Sequence, residues 1–136
     1  MDLSAQFNTI IITSADDVNF GGHVGEDAFH RFFKLAKDRW VADVLAINRL
    51  INVHFVTRKY GVEIKKEVFH PSVLYVHVPS VSFEGFRLTI HFTLKLQERI
   101  CAQAEFELIT VDLKERKMLS KSLLYEKYRS NHWHSV

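Results

Sequence analysis

Between residues 86 and 96 the chain alternates without a fault. Phe86, Leu88, Ile90, Phe92, Leu94 and Leu96 are apolar, and Arg87, Thr89, His91, Thr93 and Lys95 between them are polar. A period of two puts each set on its own face of an extended chain, so the run predicts a strand with one face buried. A second alternation follows, with Ile100, Ala102, Ala104, Phe106 and Leu108 against Cys101, Gln103, Glu105 and Glu107. Gln97, Glu98 and Arg99 between the two runs are few enough to close a hairpin. Upstream, residues 7–13 (FNTIIIT) read as a first strand and residues 53–68 as strand material interrupted near Gly61. Residues 73–78, between Pro71 and Pro79, read as a short strand.

One segment breaks this rhythm. At about 100° per residue, Phe29, Phe32, Phe33, Ala36, Trp40, Val44 and Ile47 fall in one stripe, with Arg31, Lys34 and Asp38 opposite. Glu26 and Asp27 stand in the first turn and Lys34, Lys37 and Arg39 further on, a polarity that complements the helix dipole. This predicts one amphipathic helix of roughly five turns. Its wide aromatic stripe suits it to lie on a sheet. The order is strand, loop, long helix, then four or so antiparallel strands, which is an α+β domain.

Composition narrows the classes. At 136 residues, 47% hydrophobic and 25% charged, the chain reads as a single globular domain spanning residues 1–136. A tail from about residue 129, with His132, Trp133 and His134, is expected to be without regular structure. The charge of +2 is spread along the chain, with no block resembling a nucleic-acid arm or a membrane-surface helix, so neither partner is expected. The single Cys101 excludes an internal disulfide, and the polar N-terminus lacks the character of a signal peptide. A cytoplasmic location is the expectation.

Candidate chemistry gathers in Asp17-Val18-Asn19-Phe20-Gly21-Gly22-His23-Val24-Gly25-Glu26-Asp27, directly before the helix. Carboxylates, a carboxamide and an imidazole surround a glycine pair where a helix begins, which aims polar side chains and free amides at one small volume. Such a volume suits an oxyanion. Taken singly, Asp17 and Asn19 read as turn residues and Glu26 and Asp27 as dipole-favouring acids. Taken together with His23, a functional site is the stronger reading. His30, His54, His70, His77 and His91 read as surface or strand residues. His23, Glu26 and His30 have metal-like spacing but no second cluster, so no metal is expected. Cys101 falls on the polar phase of its strand and reads as a small packed or interfacial residue, not a nucleophile.

The order of these residues, followed by Phe29-x-x-Phe32-Phe33-x-x-Ala36-Lys37-x-x-Trp40, Phe55-Val56-x-Arg58-Lys59 and a hairpin ending Val111-Asp112, resembles the hot-dog-fold acyl-CoA thioesterases of the 4-hydroxybenzoyl-CoA thioesterase type. The resemblance covers roughly residues 7 to 118. It implies a central helix wrapped by a five- to six-stranded antiparallel sheet. It also implies subunits paired edge to edge into a homodimer or tetramer, with the thioester against the helix start. The family's usual Asp-x-Asp stands here as Asp17-Val18-Asn19, and Asn19 has no lone pair basic enough to take a proton near neutral pH. A bacterial branch reading Asp-x-Asn-aromatic-Gly-x-His-Leu-Gly-x-Asp is also similar, and Asp17, Asn19, His23, Gly25 and Asp27 match it. Plant acyl-carrier-protein thioesterases place a histidine where His23 stands.

Thioester hydrolysis needs a positioned water, a proton acceptor and donors for the charge that grows on the carbonyl oxygen. An imidazole titrates near neutrality, so His23 is the first candidate for acid–base work, with Asp17 orienting it or sharing the role and Asn19 orienting a water or carbonyl. Glu26 or Asp27 is the second. The oxyanion donors are sought among the backbone amides of Val24, Gly25, Glu26 and Asp27 at the helix start. Arg58, Lys59 and Arg87 are the candidate contacts for the phosphates of coenzyme A, and no cofactor is expected beyond the acyl-CoA or acyl-carrier substrate. Two other readings stay open. One is a non-catalytic acyl-thioester binding module, and the other is a related hot-dog enzyme such as a dehydratase, whose histidine and acid pattern is not found here.

Overall fold

The computed structural model describes Leu3, residues 6–46 and residues 50–134, of which 131–134 by backbone alone. Strand β1 (Asn8–Ile12) leads through two short 3-10 turns into helix α1 (Glu26–Asp43). There follow β2 (Val53–Ile64), β3 (Val73–Glu84), β4 (Arg87–Leu96), β5 (Arg99–Asp112), β6 (Lys117–Met118) and helix α2 (Lys121–His134). The strands pair antiparallel in the order β1-β3-β4-β5-β2, with β6 added on β5. Helix α1 touches both β1 and β2, the first and last strands of that order, as well as β5 between them. A sheet can meet one helix with both its margins only by curling around it. This is the hot-dog fold.

The packing follows the predicted stripes. Ala28, Phe29, Phe32, Phe33, Ala36 and Trp40 are the buried residues of α1. They meet Leu88, Ile90, Phe92 and Leu94 of β4 and Ala102, Ala104, Phe106 and Leu108 of β5, whereas Phe86 and Ile100, counted in the same alternations, are exposed. The helix runs 18 residues, close to the predicted five turns, and Val44 follows as its C-cap with its N–H donating to the Trp40 carbonyl. Ile47 lies outside the described residues.

Several boundaries differ from the sequence reading. Strand β3 does not stop at Val78 but runs on to Glu84, because Pro79, which has no N–H to donate, sits in a register shift between His77 and Ser80. Gly61 does not interrupt β2; it pairs with Glu105, and the irregularity lies between Thr57 and Lys59. Cys101 escapes the alternation as well. Leu94 pairs with Ala102 and Lys95 with Ile100, so Cys101 is the extra residue of a bulge and is fully buried. The last difference is α2, helical through His134 where an irregular tail was expected. Ser120 starts it, accepting from Leu123 N–H through Oγ and from Leu124 N–H through its carbonyl, and Leu124 packs into the core. Its Lys127 Nζ lies 2.9 Å from Oδ2 of the buried Asp112.

Candidate active site

The loop from residue 13 to 25 is fixed largely by its own polar groups. Asp17 Oδ2 accepts the Ser14 N–H at 2.7 Å, Oδ1 accepts from Arg31 Nη2 at 2.9 Å, and the Asp17 carbonyl accepts the Gly25 N–H at 2.9 Å. Burial works to raise the Asp17 pKa, but the Ser14 amide and the Arg31 guanidinium outweigh it and hold the carboxyl below its ordinary value of 3.8. Asn19 donates its N–H to the His23 carbonyl at 2.8 Å and accepts the Gly22 N–H at 3.3 Å. Gly21 and Gly22 take φ of +87° and +78°, a left-handed backbone that favours glycine. A Cβ on Gly21 would also stand 3.2 Å from His23 Cδ2.

The helix then opens on Gly25, which offers no side chain to cap it. The Ala28 and Phe29 amides turn back to the Gly25 carbonyl. Those of Glu26 and Asp27, the first two of the helix, have no carbonyl four residues back to receive them. They border a cleft of about 380 Å³ lined by Asp17, Asn19, Gly25, Glu26, Asp27 and Arg31, among others. Four of the five predicted side chains therefore share one cavity.

The fifth does not line it. His23 Nδ1 lies 3.5 Å from Glu67 Oε1, and the ring packs 4.5 Å from that of Phe69. The imidazole thus faces the connection between β2 and β3, and the side chain positioned to orient it is Glu67, not Asp17. Nothing in the spacing marked Glu67, because the bridge between His23 and Phe69 that brings it close is a long-range pairing. Two expected oxyanion donors are also committed elsewhere. Val24 N–H donates to the Val68 carbonyl at 2.8 Å and Gly25 N–H to Asp17, so of the expected amides those of Glu26 and Asp27 remain open.

The basic residues divide too. Arg58 and Lys59 border a cleft of about 460 Å³ between α1 and β2, with Lys34, Lys37, Tyr60 and Phe106. Arg87 does not line it, but the two arginines share Glu107, whose Oε1 lies 3.3 Å from Arg87 Nη1 and whose Oε2 lies 4.0 Å from Arg58 Nη1. Lys34, Lys37, Arg58 and Lys59 against Asp38 give this second cleft a net +3, more than the +2 of the whole chain. Among the described residues no group of three or more His, Cys, Asp or Glu is placed to hold a metal, and no helix is long and apolar enough to cross a membrane.

A curled antiparallel sheet around one helix, with an open cleft at the helix start, is the architecture of hot-dog domains. The chain belongs to the thioesterase-like superfamily, whose sequence profile matches residues 13–126. No curated protein sequence matches it. Solved structures are similar in fold at low identity. A hypothetical protein from Staphylococcus aureus, in complex with CoA, superposes with a TM-score of 0.76 at 12% identity, over 96% of this chain and 83% of that one. YbaW, a probable thioesterase from Escherichia coli, gives 0.73 at 16% identity over 92% and 95%. A 1,4-dihydroxy-2-naphthoyl-CoA thioesterase from Synechocystis gives 0.71 at 14% identity over 91% and 95%.

Proposed function

We propose that the chain hydrolyses acyl-CoA thioesters to a free acid and CoA, with the carbonyl oxygen held by the Glu26 and Asp27 amides. The observation that carries this reading is Gly25. Its φ of −74° is open to any residue, and a Cβ there would meet nothing closer than the Asp17 carbonyl at 3.8 Å, so neither conformation nor space demands glycine. What glycine leaves is a helix start whose amides no side chain intercepts, beside carboxylates that can handle a proton.

A first-turn carboxylate, Glu26 or Asp27, takes a proton from water as the oxygen bonds to the thioester carbon. The amides receive the charge on the carbonyl oxygen, the C–S bond then breaks, and the proton passes to the leaving thiolate. Asn19 orients the water, and Asp17, bound to Arg31, holds the loop. His23 with Glu67 is the alternative base on the other side of the same loop. Arg58 and Lys59, with Lys34 and Lys37, meet the phosphates of CoA. The working form in this reading is a homodimer, because among the described residues β1 pairs with β3 only over Val73 to His77 and no strand covers the outer edge from Ser80 to Glu84, where a second copy would add.

A thiol-release assay across short, long and aromatic acyl-CoAs tests the reading, with hydrolysis of at least one expected. Binding of acyl-CoA without turnover of any would favour the second reading, an acyl-thioester binding module, which Asn19 supports by standing where relatives carry a carboxylate.

A further inference from the structure

We propose that His30 and Tyr60 are positioning residues that hold the Glu26 carboxylate as the base, an inference that rests on the hydrolytic reading above. Of the acids lining the cleft, Asp17 is committed to Ser14 and Arg31, and Asp16 and Asp27 have no ionic partner among the described residues. Glu26 differs. Its Oε1 lies 4.0 Å from Nε2 of His30, one turn further along α1.

A glutamate and a histidine spaced this way on an exposed helix face would ordinarily interact weakly and swing freely. Here the imidazole is held from a second element. His30 Nδ1 lies 3.4 Å from Tyr60 Oη of β2, and the rings meet edge-on at 82° with centroids 5.8 Å apart. Tyr60 is itself fixed, stacked on the buried Phe106 at 5.2 Å and covered by Lys34 Nζ at 5.4 Å from its centroid. The ionisable groups facing His30 are Glu26 and Lys34 on its own helix and Tyr60 from β2.

The chemistry follows from the two ring nitrogens. When Tyr60 Oη–H donates to Nδ1, the ring proton resides on Nε2 and that N–H is aimed at Glu26. The donor faces the carboxylate, whose side chain is 79% exposed, and limits how far it can rotate. The 4.0 Å separation exceeds a hydrogen bond, as acid–base contacts often do before substrate fills a site.

The test is kcat and KM for acyl-CoA hydrolysis by the whole protein and its His30→Leu, His30→Gln, Tyr60→Phe and Glu26→Gln variants. His30→Leu removes the donor and frees the carboxylate, so its kcat should fall roughly tenfold with KM little changed. His30→Gln, whose amide N–H can stand in for Nε2–H, should restore the wild-type kcat. Tyr60→Phe should fall between the two, and Glu26→Gln should lose turnover. Equal kcat for His30→Leu and wild type, equal impairment of the Leu and Gln variants, or an active Glu26→Gln would each overturn the proposal while leaving hydrolysis standing. A wild-type protein that hydrolyses no thioester would overturn both.

Discussion

Replacing Gly25 with serine separates the demands of folding from those of chemistry at one atom. Gly25 is the N-cap of α1, with φ −74° and ψ 161°, the extended conformation in which a serine side chain accepts from the second or third helical amide. The third, Ala28, already donates to the Gly25 carbonyl at 3.1 Å, so the new hydroxyl would take the N–H of Asp27. Serine in place of glycine at this position stabilises a helix by only a few tenths of a kcal/mol, so Tm should rise slightly. The same bond withdraws one of the two open donors from the carbonyl oxygen, and losing one such donor costs about 100- to 1000-fold in kcat, or roughly 3–4 kcal/mol. Alanine is the control. It adds the Cβ, 3.8 Å from the nearest atom, without the oxygen, so Gly25→Ala should keep kcat within a few-fold while losing up to about 1 kcal/mol of stability. The measurements are thiol release under saturating acyl-CoA and thermal melts of all three proteins. A serine variant as active as the alanine variant would refute the assignment of Asp27 N–H to the oxyanion.

Other expectations bear on the same architecture. Asn19→Asp adds a charge to a cleft that already holds Asp16, Asp17, Glu26 and Asp27, so kcat should drop about tenfold; a gain would make position 19 the missing base and remove Glu26 from that role. Asp112 is held below its ordinary pKa of 3.8, first by the hydrogen bond from Lys127 and then by the Glu115 amide. A depressed carboxyl stabilises the fold above 3.8, and that contribution is lost as pH falls through the lower folded value. Lys127→Met should therefore melt earlier than wild type at pH 7, with the gap closing below 3.8; a gap independent of pH would count against the linkage. Phe33 is wholly buried in the stripe of α1, and Phe33→Ala should cost about 3–5 kcal/mol in denaturant unfolding, whereas a loss under 1 kcal/mol would mean that the helix does not carry the core.

The elements that sequence made legible are those in which one physical signal dominates. Phe29, Phe32, Phe33, Ala36 and Trp40 bury as a stripe because a period of 3.6 leaves no other way to hide them, and β4 and β5 bury their alternations from Leu88 to Leu94 and from Ala102 to Leu108, with Phe86 and Ile100 left exposed. Misread positions are those where two signals compete. Pro79 looked like a strand end because a proline lacks the ladder donor, but a bulge absorbs it and β3 continues. Cys101 fell in the polar phase because the alternation was counted straight across a bulge. Helix α2 depends on packing of Leu124 against the core, which a short amphipathic stretch does not announce. At the site, the helix start and its acids were readable from local order. The partners of His23 and His30 were not, since Glu67 and Tyr60 lie on or beyond β2 and are brought near only by the folding of the sheet.

The departure at Asn19 therefore carries less weight than its place in the motif suggests. Both oxygens and the carbonyl of Asp17 are spent on Ser14, Arg31 and Gly25, and the N–H and carbonyl of Asn19 are spent inside the turn that ends at His23. These bonds set the angle at which the chain enters α1, and they would be needed whichever group takes the proton. In the proposed reaction the base lies on the helix itself, where Glu26 is one turn from His30 and its Tyr60 contact. A carboxamide at position 19 is compatible with that arrangement, and the Asn19→Asp variant decides between the two positions.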